Sequence, residues 1–183
     1  MSTSLPGFES PAASTEVPLE MLAACHGRIE AQCAGLRRLL RHLPLHGADE
    51  PARQAAVALM RYFDIAAPQH HEDEEADLFP ALIEAMAGSD AVCLRELTES
   101  LVREHRTLEA AWRLLRRMLE GVARGDALAL EAGRAEEFAQ ACERHLARED
   151  AELLPMAARL LDDAALTRIG EAMRVRRGIT ALD

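Results

Sequence analysis

The chain has 183 residues, a formal net charge of −10, and 21 basic residues, all of them arginine. That length suits one domain with a sizeable core, and an acidic chain without a basic block is a poor binder of nucleic acid or of an anionic membrane. No apolar run approaches the roughly 18 residues of a membrane helix, and the start lacks the charged segment and apolar stretch of a secretory signal, so neither is expected. Nearly half the chain is apolar, yet only 3% is aromatic; Ala and Leu dominate and β-branched residues are few, which favours helices. Cys25, Cys33, Cys93 and Cys142 are scattered and form no C-x-x-C pair, so a reducing cytoplasm is the simple reading.

Residues 1–16 hold Ser, Pro and Gly without apolar periodicity and are expected to be a flexible tail. A first helix starts near Pro18, a residue suited to the first helical position. Its core seam runs Leu19, Leu22, His26, Ile29, Cys33, Leu36, Leu40, Leu43, in steps of three and four. His26 therefore occupies a core position. Pro44, Gly47 and Pro51 mark a connection. A second helix is expected from about Pro51 to Met86, its inner face carrying Met60, Phe63, Ala67, His70, Glu74, Leu78, Ala81 and Ala85, with a kink at Pro80. Gly88, Ser89 and Asp90 then supply a stop and a new cap.

The third helix repeats the first, through Leu97, Leu101, His105, Leu108, Trp112, Leu115, Leu119 and Val122. Aligned on the histidines, Leu22 matches Leu101 and Cys33 matches Trp112. A fourth helix is expected from about Asp126 to Leu161, with Gly133 breaking its first turns. Asp162 or Asp163 caps a short fifth helix to about Arg177, packed along the outside through Leu166, Ile169 and Met173. The bundle spans residues 17–161, and 162–183 form the final helix and tail.

One motif occurs twice. Phe63, His70, Glu74 and Leu78-Phe79-Pro80 return at the same spacing as Phe138, His145, Glu149 and Leu153-Leu154-Pro155, and a second acid, Glu75 or Asp150, follows the first. Each His and Glu are four residues apart, about 6 Å of rise on one helical face. The chain is thus two copies of a helical hairpin, and short connections make an up-down-up-down four-helix bundle, all-α, with a short fifth helix.

A lone inward His is usually a hydrogen-bonded core residue. Four at symmetry-related positions together with two Glu are costly to bury unless paired or metal-bound. Imidazole and carboxylate suit iron, manganese or zinc, and six groups are too many for one tetrahedral ion but natural for two metals. Ferritin-like bundles use Glu-x-x-His; here His precedes Glu, and the nitrogen-rich set favours reversible ligand binding over strong oxidation.

The residues that carry this pattern resemble the hemerythrin-like proteins of the HHE cation-binding class: His26, His70-x-x-x-Glu74 with Leu78-Phe79-Pro80, Glu104-His105, and His145-x-x-x-Glu149 with Leu153-Leu154-Pro155, over about residues 18–160. The resemblance implies a non-heme di-iron centre of two iron ions with an oxo or hydroxo bridge. His26, His70, His105 and His145 would be its terminal ligands, with Glu74 and Glu149 bridging. Oxygen-carrying members have a fifth His, for which no inner-face position is evident here. The four-His, two-Glu set is closer to members linked to nitric-oxide response and iron-centre repair, which carry an extra N-terminal Cys-containing domain that this sequence does not show.

Three functions follow as expectations: a cytoplasmic protein, monomer or dimer, that binds O2 or NO for sensing, storage or stress protection; a di-iron redox or iron-centre repair enzyme acting in nitrosative or oxidative stress; or a metal-stabilised module for protein interaction. Other polar residues have blander readings. His71 points about 100° from His70 and reads as solvent-facing or as an outer support of the site, with an extra ligand as the lesser alternative. His42 and His46 read as solvated, and Glu30 and Glu109 as surface salt-bridge partners. Glu104 and Asp73 are candidates to hydrogen-bond a ligand histidine. Tyr62 reads as an interface residue and Cys142 as a small buried hydrophobe. The acids from Glu72 to Asp77, other than Glu74, read as a solvated face.

Overall fold

A computed structural model of the chain describes residues 17–86 and 91–179. The expected tail at 1–16, the cap formed by Gly88, Ser89 and Asp90, and the last four residues lie outside the described residues. The first helix, α1, spans Pro18–His46. It runs through Pro44, where a connection was expected, because a proline in the last turn removes only one backbone bond. Gly47, at φ 68°, ends it and donates its N–H to the Leu43 carbonyl at 2.9 Å. This left-handed conformation is one that glycine adopts without penalty.

Helix α2, Glu50–Glu72, starts where the Asp49 carboxylate accepts the Ala52 N–H at 3.0 Å. The same carboxylate accepts a 2.8 Å bond from His42 Nε2, so His42 supports a cap instead of being merely solvated. A π-helical turn at Asp73–Leu78 joins α2 to α3, Phe79–Ala85. Helix α4 is Ala91–Ala123. Helix α5, Ala132–Arg148, passes through a second π turn at Glu149–Leu153 into α6, Leu154–Leu160. The Asp162 side chain caps α7, Asp163–Arg176, accepting the Ala165 N–H at 2.8 Å. Among the described residues every regular element is helical, and the bundle is the four-helix arrangement expected, with α2–α3 and α5–α6 each acting as one long helix.

Two expectations change. The fourth helix begins at Ala132, not near Asp126, because the Asp126 carboxylate instead accepts the Leu128 N–H within a turn that opens at Gly125, φ 101°. Pro80 lies in a π turn's exit where a kink was expected: Phe79 N–H reaches back five residues to Glu74 O, and in the second copy Leu154 N–H reaches Glu149 O. A proline one residue later has no N–H to donate and its ring crowds the preceding turn; widening the helix by one residue relieves both faults.

The core divides into two apolar clusters along the bundle. One holds Cys33, Leu36, Leu59, Phe63, Leu115, Leu119 and Phe138. The other holds Leu22, Leu78, Leu82, Leu94, Leu101, Leu153 and Met173. Helix α7 lies against α1 and the first π turn and adds Ile169 and Met173 to the second cluster. Between the clusters lies a polar layer. No helix among the described residues is long and apolar enough to cross a membrane.

Candidate metal centre

The polar layer consists of His26, His70, Glu74, His105, His145 and Glu149, none more than 3% exposed. All six residues expected at the site are therefore brought together. The two glutamates stand between two histidine pairs. Glu74 Oε1 lies 3.6 Å from His70 Nε2 and 4.0 Å from His26 Nε2, while its Oε2 lies 3.3 Å from His105 Nε2. Glu149 Oε2 lies 3.3 Å from His26 Nε2, and its Oε1 lies 3.0 Å from His145 Nε2 and 3.5 Å from His105 Nε2. Each carboxylate thus presents one oxygen to the His26–His70 pair and the other to the His105–His145 pair. Two groups of four, His26/His70/Glu74/Glu149 and Glu74/His105/His145/Glu149, could each hold a metal ion.

The inward atoms have no protein hydrogen-bond partner. The Nε2 atoms of His26, His70, His105 and His145 and both oxygens of Glu74 and of Glu149 are buried and unpartnered. A native core seldom leaves buried polar atoms unmet, and here they converge on one place from four helices. A donor set of four imidazole nitrogens and two carboxylates fits first-row transition ions.

The outward nitrogens are held. His26 Nδ1 donates to Asp150 at 2.7 Å, His105 Nδ1 to Glu75 at 2.7 Å, and His145 Nδ1 to Glu104 at 2.9 Å. Such carboxylates fix the imidazole's tautomer and rotation and raise its basicity as a ligand. Glu104 was among the residues expected in this role; Asp73 was too, but is paired elsewhere, with Arg176 and Arg177. Glu75 and Asp150 were not assigned it, although their recurrence after Glu74 and Glu149 in both copies was the available signal. His70 Nδ1 is buried with no partner. On the alignment of the two copies Cys25 stands where Glu104 stands, so the acid that holds His145 has no counterpart for His70.

Charge in this layer is tightly balanced. Burial and the neighbouring Glu149 push the Glu74 carboxyl well above the usual range. Burial acts on Glu149 in the same sense, but the nearby imidazoles of His105 and His145, at 3.5 and 3.0 Å, overcome it and hold Glu149 low. Burial would lower His105, yet the Glu149 and Glu74 carboxylates, at 3.5 and 3.3 Å, raise it to about 10. Burial, opposed only by Glu149, lowers His70 to about 3. Without a cation the two carboxylates are driven in opposite directions, Glu74 toward its neutral form and Glu149 toward its ionised form; a cation stabilises both in ionised form.

Of the readings open for His71, solvent exposure is excluded and support of the site fits its contacts; with His105 and His145 it also forms a third group that could hold an ion. His71 is 9% exposed, and its ring stacks on His105 with centroids 3.9 Å apart and planes 8° apart. The face of α2 flanking the seam packs on α4, so a residue 100° from His70 meets a helix and not water. The acidic run corrects an expectation: Asp73 is fully buried and Asp77 accepts a 2.7 Å bond from Arg176. Glu30 is exposed and Glu109 pairs with Arg106 at 2.6 Å, as expected of surface residues. Tyr62 packs edge-on to Phe63, and Cys142 is buried, its thiol pushed up by a hydrogen bond with Cys33 and by burial.

An apolar cavity of about 330 Å³ adjoins the layer, with His71 and His145 in its wall.

An antiparallel bundle with a buried layer of histidines and shared carboxylates defines a metal-binding four-helix protein. The chain belongs to the hemerythrin HHE cation-binding domain family, whose model matches residues 17–157. It is also similar to an uncharacterised protein of Haemophilus influenzae, 31% identical over 162 residues that cover 88% of this chain and 91% of the relative.

Proposed function

We propose that the chain holds two iron ions, one on His26 and His70 and one on His105 and His145, with Glu74 and Glu149 bridging them. Its function would be reversible binding of O2 or NO in sensing, storage or stress protection. The observation that carries the reading is the convergence of eight buried, unpartnered nitrogen and oxygen atoms on the middle of the bundle. When bound, the iron pair supplies a redox-active centre to which a diatomic molecule can attach. The chain's own contribution is to orient the imidazoles through Asp150, Glu75 and Glu104, and to exclude bulk water with the two apolar clusters. Four imidazoles against two carboxylates leave little negative charge to favour high oxidation states, which supports reversible binding over strong oxidation. The four cysteines are free thiols, in keeping with a reducing cytoplasm.

Metal analysis with absorption spectra in the presence and absence of O2 and NO tests this reading. Two irons per chain and a spectrum that changes with the ligand and recovers on its removal are expected. His70→Ala and Glu149→Ala should each fall below two irons per chain; full occupancy in both would sink the assignment. Multiple turnovers with a reductant would favour the redox enzyme instead, and metal loss that lowers stability alone would favour the interaction module.

A further inference from the structure

Phe63 and Phe138 occupy the same place in the two copies of the repeated motif, seven residues before a site histidine. Nothing in the metal layer uses them. They meet each other edge to face, with centroids 5.2 Å apart, and Trp112 packs on both at 4.8 and 5.7 Å. In a chain with only six Phe, Trp and Tyr residues, three of them gather around the cavity that adjoins the metal layer. The charged residues of its lining, Glu109 and Arg113, are half-buried and exposed respectively, whereas His71 and His145 in the same lining are buried.

The volume is the second observation. A water molecule's share of liquid is about 30 Å³, and a diatomic gas is of similar size, so a cavity of about 330 Å³ is roughly ten times what O2 or NO needs. It falls at the lower end of the range in which clefts hold small organic ligands, and it has their composition, apolar and aromatic walls with few polar groups.

The third observation is His71. It is buried, and its Nδ1 has no hydrogen-bond partner among the described residues. Glu109 Oε1 lies 4.0 Å from it, beyond hydrogen-bond reach. A buried nitrogen in a cavity wall, about two helical turns from Phe63, is the kind of lone polar contact that fixes the orientation of an otherwise apolar ligand.

We infer that this cavity is a binding chamber for a neutral, largely apolar ring compound of on the order of ten non-hydrogen atoms, stacked among Phe63, Trp112 and Phe138 with one hydrogen-bonding group on His71. Neutrality follows from the walls: the cavity offers no charged partner at depth, and burying an unpaired ion there is costly. The chamber places such a molecule beside His145, at the edge of the metal layer. The inference is independent of whether O2 or NO meets the metals, because its occupancy is read by a residue outside the layer.

Trp112 is the only tryptophan of the chain, so its fluorescence reports the chamber directly. The probe is 4-bromophenol, whose bromine quenches a tryptophan in contact, with 4-bromotoluene as the isostere that lacks the hydroxyl. Titrated into the metal-loaded protein, 4-bromophenol is expected to quench saturably with one site, about tenfold more tightly than 4-bromotoluene. In His71→Leu that tenfold preference disappears. In Ala67→Phe, which fills the chamber from α2, both probes weaken at least tenfold; Leu108→Phe repeats the test from α4 if the first variant does not fold. Quenching that rises without saturation, or binding unchanged by both filling variants, overturns the chamber. Metal content is measured in every sample, and loss of metal in His71→Leu at unchanged helicity overturns the role given to His71 by making it a metal ligand.

Discussion

Asp150 accepts a 2.7 Å hydrogen bond from His26 Nδ1, although 124 residues separate them. Its counterpart Glu75 does the same for His105, also at 2.7 Å. Each acid follows a candidate bridging glutamate and reaches across to the histidine of the other hairpin, so the two halves of the bundle orient each other's ligands. Asp150→Asn and Glu75→Gln are expected to lower metal affinity by about 10- to 100-fold while leaving helicity unchanged. Competition with a chelator measures this. Affinity equal to wild type in both would reduce these contacts to surface hydrogen bonds.

The two halves are not equally supported. The His105–His145 pair is held by Glu75 and Glu104, and Glu104 is itself held by Arg148. The His26–His70 pair has only Asp150, and Cys25 takes the place that Glu104 has in the other copy. A chelator is therefore expected to remove the metals in two phases, with the ion nearer His26 and His70 leaving first. Glu104→Ala should bring the phases together by weakening the better-held side. Stopped-flow chelation followed by absorbance checks this, and a single phase in wild type that persists in Glu104→Ala would contradict the asymmetry.

How much of this was legible in the sequence depends on how local each feature is. The bundle could be read because its seams step by three and four, and the six site residues could be read because they replace hydrophobes on those seams in both copies. The π turns could not, since a proline after a ligand helix is equally compatible with a kink. The partners of His26 and His105 come from the opposite hairpin, and only the packed bundle fixes that pairing. Solvent exposure was one reading of His71 because a helical wheel assumes one buried face, whereas α2 also packs against α4 on its flank; the stack on His105 fits the other reading, support of the site. The buried Asp73 was misjudged because its counter-ions lie about a hundred residues away, at and just beyond the end of α7.

Those counter-ions give the third prediction. The Asp73 carboxylate is fully buried and is gripped by Arg176 and Arg177, both 15% exposed at the side chain. Arg177 also donates to the Met173 carbonyl at 3.0 Å, and Arg176 to Asp77 at 2.7 Å. Asp73 opens the π turn that carries Glu74, so the end of α7 clamps the backbone that aims a candidate bridging carboxylate. Removing one partner of a mostly buried ion pair costs about 3–5 kcal/mol; the Asp77 contact left to Arg176 brings the expected loss for Asp73→Ala to about 3 kcal/mol. The urea midpoint should fall at an unchanged slope. A midpoint within error of wild type would show that α7 does not clamp the turn.

The last prediction concerns pH and the chelated protein. An unfolded histidine titrates near 6.5. His70 is lowered to about 3 in the fold, mainly by burial, and His71 is also well lowered. As pH falls below 6.5 the unfolded chain gains protons that the folded one refuses, so their contribution is full above 6.5 and is lost on acidification. Glu149, held low, adds a loss below about 4.5 in the same sense. His105 behaves oppositely: raised to about 10, it contributes fully below 6.5 and loses that contribution as pH rises through 10. Glu74, raised by burial and by Glu149, also opposes stability as pH rises past about 4.5. Between 4.5 and 6.5 two histidines gain against one glutamate, and above 6.5 both remaining groups lose, so these groups place the maximum near pH 6.5. Metal flattens the alkaline limb, because an ion takes imidazole and carboxylate in their deprotonated forms, and for the same reason it steepens the acid one. Thermal melts of the chelated protein should therefore peak near pH 6.5 and decline toward pH 10, while the loaded protein holds its melting temperature over that alkaline range. Parallel declines in both samples would separate His105 and Glu74 from the metal site.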